Sequence, residues 1–247
     1  MKRLYVCGDS FMSPRTTVPG THFSEIFAEK LNFQLTVYSR SAISNGGIIL
    51  QLEQVLIEKP DLLFFNITSH DRIEFPKNNI EMDYKLYLNH LNYQNYKTDL
   101  STGTYQFDGN MMSDNLVSLL NDAAGYCERQ NIKPEKMDAI KTYFNEIYVS
   151  SWKHQIDMMM MYCSLHRLHK SGIPYILIHD YLCIKNHLEL EWLEDKNNIT
   201  EVIHNFIMQV DPKEPDPGYH TSPEMQVDIA NFVIDHYNKY FKHDIEQ

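Results

Sequence analysis

The chain has 247 residues, 43% of them apolar and 22% charged, a composition that suits one soluble globular domain with a substantial core. Its formal charge of −11 excludes the clustered Lys and Arg that phosphate backbones require, so a nucleic-acid partner is not expected. No apolar run is long enough to span a bilayer, and Lys2-Arg3 precedes too few apolar residues to make a secretory signal, so a cytoplasmic protein is expected.

The first predicted element is a buried strand, Leu4-Tyr5-Val6-Cys7, that ends abruptly in Gly8-Asp9-Ser10. Ser10 then stands at the carboxyl end of a strand, the edge where open α/β sheets bind ligands. A Pro- and Gly-containing loop follows, and Phe23, Ile26, Phe27 and Leu31 recur at helical spacing with Thr21 as the expected N-cap. His22 and Arg15 are expected to brace this loop. Phe33 to Tyr38 reads as a second strand, and Ser39 to Gly47 as the polar turn after it. Ile48, Ile49, Leu52, Val55 and Leu56 then form a helical stripe closed by Pro60.

Asp61 to Ile67 is nearly all apolar, as a central parallel strand buried on both faces requires. It opens into Asn66-Ile67-Thr68-Ser69-His70-Asp71-Arg72, again at a carboxyl edge. From Pro76 to about Ser150 the strand signal fades into Asn-, Tyr- and Asp-rich sequence, read as a mainly helical insertion over that edge that acts as a cap or substrate wall. Helices are expected at Glu81–Leu91 and, through Leu116, Leu119, Leu120 and Ala123, at Ser113–Gln130. Glu146–Leu168 continues as one helix, in which Met158 to Met161 are expected to pack in the interior as adaptable fillers.

Ile173 to Ile178 is a further strand, ending in His179-Asp180, a reserve base and acid. Lys185 to Asp211 is a charged, partly helical connection. Ser222-Pro223-Glu224 supplies an N-cap, a first-turn proline and an early acid, with Met225, Ile229, Phe232, Val233 and Tyr237 at helical spacing behind. Just ahead lie Asp216 and His220, an acid and an imidazole close enough in sequence to serve one site. The cysteines, Cys7, Cys127, Cys163 and Cys183, show neither metal-ligand spacing nor a paired framework, so free thiols and no metal are expected.

Gly8-Asp9-Ser10 near the start and Asp216 with His220 near the end resemble the SGNH (GDSL-type) hydrolase family. The resemblance implies a three-layer, flavodoxin-like α/β fold with a parallel sheet and helices on both faces. It also implies a serine esterase or acylhydrolase that needs no cofactor and takes a small-molecule ester, an O-acetylated carbohydrate being one candidate. Ser10 would be the nucleophile, His220 the base and Asp216 the orienting acid. Ser10 and Ala42 would give oxyanion N–H groups, and Thr68 or Asn66 a side-chain donor, while Asp9, Asn45 and His70 would line the substrate pocket.

The chain departs from the family pattern in three places. Ala42 occupies the slot of the second-block glycine, with Gly46 or Gly47 as other matches. Thr68 occupies the slot of the third-block asparagine, with Asn66 as the shifted alternative. Asp216 precedes His220 by four residues where the family has three, which leaves Asp180, Glu214 or a backbone carbonyl as other orienting groups. These departures keep a second reading open: a non-catalytic member of the fold that binds a ligand or partner at the same edge.

Overall fold

The computed structural model describes residues 1–14, 19–40, 43–70, 72–76, 116–119, 134–180, 182, 184, 190, 193, 195–200 and 222–246. Its strands are β1 Lys2–Cys7, β2 Phe33–Val37, β3 Leu62–Ile67, β4 Ile73–Pro76, β5 Leu116–Leu119 and β6 Tyr175–Asp180. The helices are α1 Phe23–Leu31, α2 Asn45–Glu58, α3 Pro134–Glu146, α4 Ser150–Ser171, α5 Pro223–Tyr240 and the short α6 Lys242–Glu246.

Four strands form a parallel sheet in the order β2-β1-β3-β6. This order is compatible with a flavodoxin-like arrangement: the chain leaves β1 toward β2, then crosses back over β1 to β3. The direction of winding reverses between β1 and β3, and the carboxyl ends at such a reversal are where open α/β sheets bind ligands. Beyond β6 the sheet continues by a single parallel bridge from Leu177 to Asn198.

The apolar runs are buried on both faces because helices cover both. Leu4 and Val6 of β1, Leu62 and Phe64 of β3 and Ile176 and Ile178 of β6 point to one side, where Phe23 and Phe27 of α1 meet Ile229, Val233 and Tyr237 of α5. Phe27 stands edge-on to both Phe64 and Tyr237, with ring centroids at 4.8 and 5.5 Å, which joins sheet and both helices through one side chain. Tyr5, Cys7, Leu63, Phe65 and Leu177 point to the other side, against Ile48, Leu52 and Val55 of α2 and Met161, Leu165 and Leu168 of α4. Each such fully buried side chain contributes about 1.5–3 kcal/mol of transfer free energy.

Helix ends follow local chemistry. Ser222 caps α5, its hydroxyl accepting from Met225 N–H at 3.3 Å with Pro223 in the first turn. Gly172, at φ 72°, ends α4 in the left-handed conformation, and Pro174 follows. The cap of α1 is His22 rather than Thr21: its ring nitrogen accepts from Ser24 N–H while Glu25 accepts from the His22 N–H, so imidazole and carboxylate close a capping box.

Three expectations are corrected. Leu116–Leu119 is a strand antiparallel to β4, where a helix was expected; a four-residue apolar run is ambiguous in period, and pairing with Ile73–Pro76 decides it. The rest of Ser113–Gln130, all of Glu81–Leu91 and most of Lys185–Asp211 lie outside the described residues. The helix expected over Glu146–Leu168 is there but runs Ser150–Ser171; Glu146 ends the preceding helix α3, because the Ile147 and Tyr148 N–H groups both turn back to the Tyr143 carbonyl. Of the four methionines, Met161 is buried and Met158 half-buried, but Met159 and Met160 face outward, since α4 packs on α2 and the sheet through one face only. Among the described residues no helix is long and apolar enough to cross a membrane.

Candidate functional site

The site begins where β1 stops. Gly8 has φ 136°, a conformation that side chains rarely adopt, and a Cβ there would lie 1.8 Å from Asn66 Oδ1. Glycine is therefore required twice, by the backbone and by the neighbour. The buried amide of Gln51, on α2, accepts from Gly8 N–H at 2.6 Å and donates to Gly8 C=O at 3.4 Å, while Arg40 N–H reaches the same carbonyl at 2.9 Å. These bonds satisfy a peptide that has left the ladder.

Asp9 then caps a single 3-10 turn, Ser10–Met12, by accepting from Phe11 N–H at 3.0 Å. The same Asp9 is 2% exposed and accepts from three more side chains: Asn66 Nδ2 at 2.8 Å, Thr68 Oγ1 at 2.8 Å and Arg72 Nη1 at 3.0 Å. A buried carboxylate is tolerated when paired and hydrogen-bonded, and here both oxygens are. Arg72 Nη1 also donates to the Ile43 carbonyl at 2.9 Å, tying the end of β3 to the start of α2. Ser10 is half-buried on this turn, between buried Asp9 and Phe11.

A second set of bonds fixes the β3 exit from the other side. Asn45, in the first turn of α2, accepts from Thr68 N–H at 2.9 Å and donates to Thr68 C=O at 3.0 Å. It also donates to Asp157 of α4 at 2.9 Å, and Lys153 pairs with that carboxylate. Further along, His70 Nε2 lies 3.0 Å from Ser150 Oγ and its Nδ1 3.2 Å from His154 Nδ1, so the β3 exit is knitted to the first turns of α4.

The start of the C-terminal helix reaches the same turn. Gln226 Oε1, in the first turn of α5, accepts from Phe23 N–H at 2.8 Å, and the adjacent His22 bonds the Phe11 carbonyl at 3.0 Å through Nε2. Two side chains thus link α5 to the residue after Ser10. Burial raises the pKa of Glu25, which closes the capping box beside His22, although backbone N–H groups of His22, Gly20 and Thr21 oppose the shift. Burial also pushes the Cys7 thiol well up, so it stays protonated beneath the site.

The residues named from the sequence are placed as follows. Ser10, Asp9, Asn66 and Thr68 come together at the carboxyl ends of the adjacent strands β1 and β3. Thr68 spends its only hydroxyl hydrogen on Asp9, whereas Asn66 has a second amide hydrogen beyond the one Asp9 takes. Asp9 lies beneath the turn with its oxygens facing the chain's own donors, and Asn45 is fully buried against Thr68 and Asp157. His70 is at the outer rim, toward α4.

Ala42, Asp216 and His220 lie outside the described residues; Arg40 and Ile43, which flank Ala42, are joined by Ile43 N–H to Arg40 C=O at 3.3 Å. Of the reserve pair, Asp180 accepts from the Leu182 and Ile184 N–H groups at 2.9 and 2.7 Å and so holds the turn after β6. His179 is buried with its ring 6.0 Å from that of Phe11.

Gln51 and Asp157 hold the site without having been expected there, and Arg72, which the sequence left open between a pocket-lining residue and a solvated charged turn, pairs with Asp9. For Gln51 and Asp157 the signal was present: each is a polar residue on the apolar stripe of its helix, three or four residues from Ile48 and Val55 or from Met161. For Arg72 the signal was its place in the polar turn after β3, at the carboxyl edge of the sheet. Among the described residues no group of three or more His, Cys, Asp or Glu side chains could hold a metal ion. No family model matches the chain, and no curated protein matches it.

Proposed function

We propose that the protein is a serine acylhydrolase of the SGNH type that cleaves a small ester through an acyl-enzyme on Ser10. What carries the reading is the immobilised turn: Ser10 follows a carboxylate bonded from four directions, at the reversal of winding where α/β sheets bind ligands. A nucleophile held this rigidly meets the requirement that reacting groups be preset before the substrate arrives. The bonds from Gln226 to Phe23 and from His22 to Phe11 support the reading further, since His220 is only six residues ahead of Gln226.

In this mechanism His220 takes the Ser10 proton as the hydroxyl attacks the carbonyl, then returns it to the leaving alcohol, and water releases the acyl group. Asp216 orients the imidazole. The N–H groups of Ser10 and Ala42, with the second amide hydrogen of Asn66, receive the oxyanion; one such donor is worth about a hundredfold in rate or more. The substrate class is a small ester, an O-acetylated carbohydrate included, and the chemistry calls for no cofactor.

A second reading, a non-catalytic binding protein on the same fold, is favoured by one observation: the Thr68 hydroxyl hydrogen is engaged by Asp9. A fluorophosphonate probe with peptide mapping separates the two. Labelling at Ser10 that disappears in His220→Ala is the result expected of the hydrolase. Soluble, folded protein that takes no label supports the binding protein.

A further inference from the structure

The outward face of α4 carries a pattern that the packing of the described residues does not use. Trp152, the half-buried Ile156, Met159 and Cys163, with the cap residue Val149 just ahead of the helix, recur at alternating steps of three and four residues, the seam of a coiled coil. The helix already buries Met161, Leu165 and Leu168 on its other side. Trp152 is 61% and Met159 67% exposed, Val149 is 56% exposed, and Cys163 is an exposed free thiol. A 22-residue helix is about 33 Å long, ample for such a seam.

We infer that α4 pairs antiparallel with α4 of a second copy of this chain, forming a twofold dimer along this seam. The order of side chains argues for a copy of itself. In an antiparallel pair with its dyad between Ile156 and Met159, Trp152 stands against the partner's Cys163 and Ile156 against the partner's Met159. The largest seam residue meets the smallest, and the two middle layers are of matched volume, as close packing demands. A parallel pair would instead set Trp152 against its own copy and leave Cys163 facing a gap.

The exposed apolar side chains of this face, with neighbouring Met160 and Tyr162, amount to on the order of 600 Å² per protomer. That approaches the roughly 800 Å² per partner of a standard interface, and polar flanks such as Gln155 make up the remainder. Left in water, a patch of this size is at the upper end of what monomers expose. The inference does not depend on the reaction at Ser10.

Analytical ultracentrifugation of the full chain at micromolar concentration tests it. The wild type is expected to sediment as a dimer and Met159→Glu as a monomer with an unchanged circular dichroism spectrum, the Tm of the wild type alone rising with protein concentration. Register is read from Trp152→Cys with oxidised glutathione as the electron acceptor: a disulfide to the partner's Cys163 is expected, absent when Cys163→Ser is added. A wild type monomeric up to about 100 μM, a dimer indifferent to Met159→Glu, or a wild-type disulfide between the two Cys163 residues would overturn it.

Discussion

Asp9 and Asn66 bond to each other twice: the Asp9 N–H donates to Asn66 Oδ1 at 3.0 Å, and Asn66 Nδ2 donates to Asp9 Oδ1 at 2.8 Å. Fifty-seven residues apart in the chain, they close a ring that locks the turn of Ser10 to the end of β3. Both are buried, so each bond is made without competing water. Asn66→Ala removes both bonds and leaves Asp9 short of a donor. We expect a loss of about 2–4 kcal/mol in urea denaturation. Labelling of Ser10 by a fluorophosphonate should slow at least tenfold in the fraction that remains folded.

Gly8 permits that ring to close. With φ 136° and a would-be Cβ 1.8 Å from Asn66 Oδ1, Gly8→Ala must displace either the strand end or the asparagine. The expected cost is about 3 kcal/mol or more, in the range of strained and overpacked sites. Gly20→Ala is the control: its φ is also positive, but nothing lies within 4 Å of a Cβ there. Its loss, read from the same unfolding curves, should be clearly the smaller.

His236 gives the fold a pH dependence of known sign. Half-buried on α5, it bonds the Lys196 carbonyl at 2.6 Å through Nε2; burial holds its pKa below the ordinary 6.5, with Lys239 acting in the same direction and the carbonyl against it. The unfolded chain therefore binds this proton more readily. Its contribution to stability is complete above pH 6.5 and is lost as the pH falls below that value. Thermal midpoints at pH 7.5 and 5.5 should fall further for the wild type than for His236→Gln; equal slopes would remove this histidine from the account.

Much of the fold was legible in order of residues. The runs Leu4-Tyr5-Val6-Cys7 and Leu62-Leu63-Phe64-Phe65 read as buried strands because both their faces are apolar, and Ser222-Pro223 read as a helix start because its chemistry is local. Leu116–Leu119 was misread because four apolar residues carry no period of their own. Met158 to Met161 were misread because a run of like residues has no face until a neighbour chooses one.

At the site, the sequence placed Ser10 at a strand's end and named Asn66 and Thr68 near it, since a strand followed by a polar turn is a local pattern. It did not show that Asp9 would be the centre of the turn, nor that Arg72 and Gln51 would hold it.

What the sequence by itself determined was the four strands of the parallel sheet and the helices α1, α2, α4 and α5, each set by periodicity and capping within a few residues. What only the tertiary structure decided was partnership: which strand lies beside β1, and hence that Asn66, Thr68 and Arg72 converge on Asp9. Hydrogen bonds over such separations depend on strand order and register, and these follow from burying both faces of the whole sheet together.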